Sequence, residues 1–539
     1  MKNSIIKAGI ILLALSTAAA CTGNYLNINT NPYEVDKDEM MQDDYIIGAT
    51  LSAICGTVVS TDVNTAQFTD CLLGGPMGGY YSSTGSWGKT IDNFNATDDW
   101  TRVFMSSDRV IPTLFTNLKE LREITDDPVI HSMAMVAKVA AMQRVTDTYG
   151  PIPYSKIGVD LELLVPYDSQ EQVYDKMFEE LDAAILVLED NASLTYSANA
   201  DPVYRGSIRN WCKFANSLKL RLAMRIVYTE GGKEKAAQKF KEVMEHPIGA
   251  FTSNADNAAL QAVAFGDKGN PLYTAVKYNQ IAGSNTGGDT HAAADITSYM
   301  TAYDDPRCAK YFIESEFEGN EFKYTGALIS VVKPPLGTVG RKYAGVNIGY
   351  NDPLQWMNAA EVAFLKAEAV VLGVISGNAE EYYNEGIRLS FDQYGVSSAY
   401  AAYISNDKKT PVTYVNPEGE SRPAALTELA VKWDDAATAA EQQERILIQK
   451  WIANFNLGNE AWADHRRTGY PVFFPADGEG NKCDKGEVDP VLGARRMPYP
   501  ISERSNNGLN LDFAISNYLK GKDQYATRLW WDCKPGLGK

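Results

Sequence analysis

The sequence predicts a mainly α fold, a tetratricopeptide-like superhelix of helix pairs with a loop-rich half inserted into it. Three observations predict this. Amphipathic segments of helical length come in pairs joined by short turns; the pairing stops near residue 247 and resumes near 358; and 539 residues with 45% hydrophobic and 22% charged side chains supply a large core. A helix hairpin cannot bury its apolar face alone, so neighbouring pairs must stack.

The chain opens with Lys2 and Lys7, an apolar run from Ile10 to Leu15, and small residues up to Cys21. This is a secretory signal over residues 1–20, and the run is too short to span a bilayer, which takes about 20 apolar residues. Two processing routes fit. Ala18-x-Ala20 suits an ordinary signal peptidase, whereas a cysteine directly after the small residues suits acylation of Cys21. The polar stretch that follows, with Asn24, Asn27, Asn29, Asn31 and Pro32, suits a lipidated tether over 21–42 and favours the second route.

Residues 43–539 read as one body. A first helix over 43–59 carries Tyr45, Ile46, Ala49, Ile54 and Val58. Residues 60–97 read as a glycine-rich aromatic loop, with Gly74-Gly75-Pro76-Met77-Gly78-Gly79-Tyr80-Tyr81 at its centre. Helical spacing returns over Asp98–Thr125 and Pro128–Tyr149, and Pro151 and Pro153 close that pair. Ser169–Leu188 and Ser207–Tyr228 form a second long pair, and Lys233–Met244 completes the helical block of 98–246. Residues 247–352 are rich in Gly, Asn, Asp and Pro and read as the insertion. Helices resume over Asn358–Leu372, Ala379–Tyr394 and Ala439–Asn456, and continue after Gly458 to Arg467. Within this last block, Glu361–Tyr394 comes nearest to one tetratricopeptide unit. From Gly469 the tail is proline- and glycine-rich.

The formal net charge of −18 repels nucleic acid and anionic lipid heads, so neither is an expected partner. Beyond Cys21 the six cysteines are scattered without a C-x-x-C, which favours buried thiols and leaves a Cys55–Cys71 bridge as the alternative. Catalytic motifs are missing. Trp87-Gly88-Lys89-Thr90 ends like a phosphate-binding loop, yet Ser83 stands where its first glycine belongs. None of His131, His246, His291 and His465 begins H-E-x-x-H, and no G-x-S-x-G occurs. His465 reads as a structural hydrogen bonder and Asp98 as a helix cap. The oxygen-rich stretch Asp477–Asp489 lacks an EF-hand's glycine, so no metal and no cofactor is expected.

Several stretches together resemble the SusD/RagB family of outer-membrane nutrient-binding lipoproteins. They are Tyr25 to Pro32 behind the lipoprotein start, Asp147 to Tyr154, Glu361 to Ala369, Gln449-Lys450-Trp451, Arg495 to Pro500 with Glu503 and Asn506, and Leu529 to Asp532. The resemblance implies a non-catalytic lipoprotein of tetratricopeptide-like helix pairs, anchored in the outer membrane through Cys21 and facing the cell exterior. It also implies a partner, a SusC-like TonB-dependent transporter barrel over which the protein sits as a lid. The implied cargo is oligosaccharide, with oligopeptide as the alternative, and a protein-only interaction scaffold is the reading from another class. The matching stretches are structural and carry no ligand residues across.

Ligand residues must therefore be sought by chemistry. A sugar ring rests its C–H face on an aromatic ring while its hydroxyls bond planar polar side chains. In the first loop this points to Tyr80, Tyr81 and Trp87 with Asp92, Asn93 and Asn95 behind them; in the insertion, to Tyr273, Tyr278, Arg341 and Tyr350, with Tyr303 and Tyr343. The competing reading is that loop aromatics merely cover the helical array. Packing is favoured for Trp211, Trp433, Trp451 and Trp462, which sit on helical patterns.

Overall fold

The computed structural model describes residues 45–84, 89–105, 110–159, 164–280, 282–318, 323–329, 340–415, 421–422, 425–476, 483 and 488–538. The signal, Cys21 and the tether lie outside the described residues. The architecture is mainly α, with a few short two-stranded ribbons, most of them built with strands of the inserted half and one, Tyr414–Val415 with Ser421–Arg422, outside it.

Helix α1 (Tyr45–Cys55) packs on α2 (Val110–Ile124) and on α3 (Pro128–Tyr149). Side chains that cap helix starts explain why boundaries were legible. Asp127 accepts from Val129 N to begin α3, and Ser169 with Gln172 forms a capping box at α4 (Gln170–Asp190). Ser207 caps α5 (Ile208–Arg225), which α6 (Gly232–Glu245) follows. The insertion contributes α7 (Pro271–Ala275) and α8 (Ala294–Ala302). Asn358 caps α9 (Ala359–Val371), Asn378 caps α10 (Ala379–Gln393), and Thr438 boxes with Glu441 at α11 (Ala439–Ala453). Helix α12 (Gly458–Thr468) and a late helix α13 (Ile501–Asn517) follow, and short helical turns at Cys308–Tyr311 and Tyr400–Ile404 lie between the longer helices. Helices α3 and α4, α4 and α5, α5 and α6, and α9 and α10 pack as neighbours.

Three expectations need correction. Residues 60–97 are not all loop. Asp62 caps a turn at Val63–Ala66, which runs into a π-helical stretch, Gln67–Gly74, and a last turn at Gly75–Met77. Its wide turns break the 3.6-residue spacing, so no amphipathic pattern announces it. Asp98–Thr125 is one short turn, Asp98–Thr101, followed separately by α2; the weak helix formers Ser106, Ser107 and Asp108 stand between them in sequence. Asp98 does cap a helix, but a distant one: its Oδ1 accepts from Ile501 N at the start of α13. That helix was hidden in the tail because only Leu511 and Ala514 of it are buried.

The core is threaded by buried ion pairs. Arg221 on α5 forks onto Glu361 of α9 at 2.7 Å through both Nε and Nη2, and Arg225 reaches Glu460 of α12 at 2.5 Å. Lys450 of α11 lies 2.6 Å from Asp464, and Arg467 grips both oxygens of Glu368 at 2.8 Å. Asp147 accepts from the Tyr174 hydroxyl at 2.6 Å and from Trp531 Nε1 at 2.8 Å, while Arg495 pairs with Asp532 at 2.6 Å. Asp147, Glu361, Lys450, Arg495, Trp531 and Asp532 all belong to the stretches that carry the family resemblance. Those stretches record the polar core that holds the helices in register, and for this reason they say nothing of cargo.

Candidate functional site: an aromatic platform in the inserted half

Strand β1 (Tyr81–Ser83) leads into the loop that carries Trp87, and the structure overturns the expected role of its tyrosines. Tyr80 is fully buried, stacked on Trp451 with ring centroids 5.6 Å apart, and its hydroxyl donates to the Trp451 carbonyl at 2.6 Å. Tyr81 is also buried, its hydroxyl bound to Asn456 Oδ1. Neither ring can meet a sugar. The glycines before them serve close approach: a Cβ on Gly75 would lie 2.3 Å from the Tyr81 ring, and one on Gly79 2.7 Å from Phe473. Burial of this crossing is what the glycine-rich run encodes.

Asn93 is half-buried and shapes its own turn, where Oδ1 accepts from Thr90 N at 3.0 Å and Asn95 N at 3.2 Å. Asp92 is buried and takes the Thr90 hydroxyl. Trp87 lies outside the described residues, but the root of its loop is fixed. Thr84 N donates to the Asp289 carbonyl at 2.7 Å, beside the pairing of β1 with β3 (Thr290–Ala292) in the register Ser83↔Thr290.

From that root the insertion builds a continuous framework. Asp289 N donates to the Tyr278 carbonyl at 2.8 Å, and Asn279 Nδ2 to Asp289 Oδ2 at 2.7 Å. Burial holds the Asp289 carboxyl above the usual carboxylate range, against the opposing pull of the Asn279 N–H. At the other end of α7, Asn270 caps the helix through Leu272 N and ties in the next segment by donating N to the Tyr350 carbonyl and Nδ2 to the Asp352 carbonyl, both at 2.8 Å. Tyr273 and Tyr350 meet edge to face at 5.6 Å, with Lys277 Nζ 3.7 Å above the Tyr273 ring. Thr286 donates to the Arg341 carbonyl at 2.5 Å, fastening that segment to the same framework.

The insertion's candidate residues thus share one scaffold. Tyr278 is 53% exposed and Tyr350 41%, and Arg341 Nε finds no hydrogen-bond partner among the described residues. Exposed rings can stack against a flat ligand face. Tyr303 and Tyr343, in contrast, are buried and pack against Tyr299 and Phe317. Asn279, Asp289 and Asn270 escaped sequence reasoning; the only signal was their place beside tyrosines and Gly287-Gly288.

Titratable groups elsewhere are structural. His291 is buried between the hydroxyls of Thr84 and Thr286, and His465 bonds the Pro471 carbonyl at 2.8 Å and stacks on Phe473, burial pushing its imidazole down to about 4. Cys55 and Cys71 are buried free thiols, not a bridge. No cluster of His, Cys, Asp and Glu able to hold a metal occurs among the described residues, which omit most of Asp477–Asp489.

A family model described as SusD-like, "Susd and RagB outer membrane lipoprotein", matches residues 27–532. The chain belongs to the SusD-like family. Solved structures agree. A SusD homologue from Bacteroides uniformis is 48% identical, with a TM-score of 0.86 over 91% of this chain and 99% of that one. One from Bacteroides thetaiotaomicron is 33% identical, with a TM-score of 0.81 over 90% and 99%. A chitin-binding SusD homologue from Flavobacterium johnsoniae is 30% identical, with a TM-score of 0.79 over 91% and 99%. No curated protein matched in sequence. The SusD-like family is one of outer membrane lipoproteins, and no helix among the described residues is long and apolar enough to cross a membrane.

Proposed function

We propose that this protein is a non-catalytic cell-surface lipoprotein, tethered through Cys21, that binds oligosaccharides and delivers them to a SusC-like TonB-dependent transporter. One observation carries the cargo: the exposed rings of Tyr278 and Tyr350 and the half-buried Arg341 belong to the scaffold that also fixes Thr84, where the segment carrying Trp87 begins. Flat apolar faces flanked by planar donors suit pyranose rings, and the chitin-binding relative supports a glycan.

Titration calorimetry of the purified protein against neutral glycan and oligopeptide panels tests this. Heat with a glycan, reduced by Trp87→Ala or Tyr278→Ala by roughly 1 kcal/mol or more at unchanged melting temperature, is the expected result. Heat with peptides alone would reassign the cargo. Fatty-acid labelling lost in Cys21→Ala, protease accessibility on intact cells and co-purification with a transporter barrel test the tether, its outward face and the partner.

A further inference from the structure

A second cleft, of about 440 Å³, opens between the turn entering α5, strand β2 (Ala258–Leu260), strand β4 (Leu354–Met357) and the end of α10, and it shares no lining residue with the aromatic platform. Its lining combines one cation with half-buried side-chain amides and contains no carboxylate. In a chain of net charge −18 that combination is unusual enough to ask what it recognises.

The cation is Arg205. It is exposed, and its guanidinium has no partner among the described residues. Its backbone is left-handed at φ 54°, a conformation that costs a side-chain-bearing residue and persists only when its surroundings impose it. Asp201 imposes it: the buried carboxylate accepts from Val203 N, Tyr204 N, Gly206 N and Trp211 Nε1, all at 2.9 to 3.1 Å. Those bonds consume Asp201. The other nearby acid, Asp256, is matched by Lys213 at 2.7 Å. Arg205 is thus held out on a rigid turn with its charge unanswered.

The facing wall is a directed relay of amides. Asn257 is pinned because its Oδ1 accepts from Ala359 N at 2.8 Å, so its Nδ2 donates onward to Gln393 Oε1 at 3.2 Å. Gln393 in turn donates to Gln355 Oε1 at 3.2 Å. The relay ends on the Gln355 amide nitrogen, whose two N–H groups remain unspent among the described residues. Strand alternation aims that side chain away from the core, since its neighbours Leu354 and Trp356 are buried. Gln261 donates to the Ala259 carbonyl and so keeps its own oxygen as an acceptor.

We infer that this cleft is a second binding site, for a carboxylate-bearing sugar of the uronate class. Arg205 and the Gln355 amide supply donors to the carboxylate, and Gln261 and Asn210 meet ring hydroxyls. Charge-assisted bonds substitute for stacking here, because the one aromatic ring in the lining, Tyr204, is half-buried edge-on against Trp211.

The test is calorimetry of the full-length protein with a galacturonate trimer and its neutral galactose counterpart, on wild type, Arg205→Gly and Arg341→Ala. Glycine adopts φ 54° without strain, so Arg205→Gly should retain the wild-type melting temperature. The expected result is uronate binding that weakens with added salt and falls by roughly tenfold or more in Arg205→Gly, the scale of one charge-assisted hydrogen bond. Platform binding of neutral glycans should survive that substitution, so failure here is distinguishable from failure of the cargo assignment. Absence of uronate binding, binding indifferent to Arg205→Gly, or loss in Arg341→Ala alone would overturn the inference, the last by moving the carboxylate to the platform.

Discussion

Lys450→Met should destabilise the protein by about 3–5 kcal/mol at neutral pH, and the local geometry explains why the loss is not larger. Lys450 Nζ faces three carboxylates, at 2.6 Å from Asp464, 3.3 Å from Glu460 and 3.8 Å from Glu361. Two of these keep other partners: Glu361 retains its Arg221 fork, and Glu460 retains Arg225 at 2.5 Å. Asp464 keeps only Arg467, at 3.0 Å, so the variant leaves roughly one buried charge undercompensated. The sign of the pH dependence follows. In the wild type, Lys450 and then Arg467 hold the Asp464 carboxyl below its ordinary range despite burial, so its contribution is fully present above the unfolded value of about 4 and is flat from pH 5 to 8. Without Lys450 that folded value rises, the carboxyl takes up a proton as pH falls, and the deficit relative to wild type narrows from pH 8 to pH 5. Urea unfolding at the two pH values measures both quantities. Adding Asp464→Asn should recover about 2 kcal/mol of the loss. A penalty below about 1 kcal/mol, or one independent of pH, would refute the picture of a mutually compensated core.

Two further outcomes follow from close packing and from a buried acid. Gly458→Ala should cost about 2–3 kcal/mol in urea unfolding, since its Cβ would stand 2.3 Å from the Gly74 backbone, whereas Gly508→Ala, with open space around it, should be neutral or stabilising. Asp295 is buried, its Oδ1 accepts from Phe474 N at 2.7 Å, and burial lifts its carboxyl to about 7. A raised acid favours the folded state at low pH and loses that advantage as pH rises from about 4 to 7, so Asp295→Asn should gain about 4 kcal/mol on wild type across that interval. A constant difference between the two stability profiles would count against it. His465 titrates in the opposite sense: its imidazole, held down at about 4, favours folding above about 6.5 and loses that as pH falls. The wild-type profile is therefore flatter than the variant's.

The helical block was legible because its boundaries are written in side chains. Ser169, Ser207, Asn358 and Thr438 each stand one residue before a helix and bond into its first turn. The π-helical stretch and α13 were not, since one abandons the 3.6-residue period and the other buries too little to need an apolar stripe. At the site, composition pointed both to tyrosines that the structure leaves exposed in the insertion, Tyr278 and Tyr350, and to buried ones in the first loop. Tyr80 and Tyr81 look exposed beside so many glycines, yet those glycines admit α12 and Phe473 against the π-helical stretch and its last turn. No local pattern distinguishes a glycine that frees a loop from one that lets two segments touch; the difference lies in residues some 380 positions away.

The same separation explains why family membership reveals so little about cargo. Glu361 and Glu368, which lie in a stretch that marks the family, sit in a desolvated ionic core whose charges pair across helices: Arg221 with Glu361, Arg225 with Glu460, Arg467 with Glu368. Replacing one member leaves another charge buried without compensation, so a single substitution there is costly. Tyr278, Arg341, Arg205 and Gln355 carry no such mutual debt. Their backbones are fixed by hydrogen bonds and strand pairing, while their exposed or half-buried side chains are free to vary with the ligand. Substitutions at these outward side chains should therefore leave the scaffold and its fold intact.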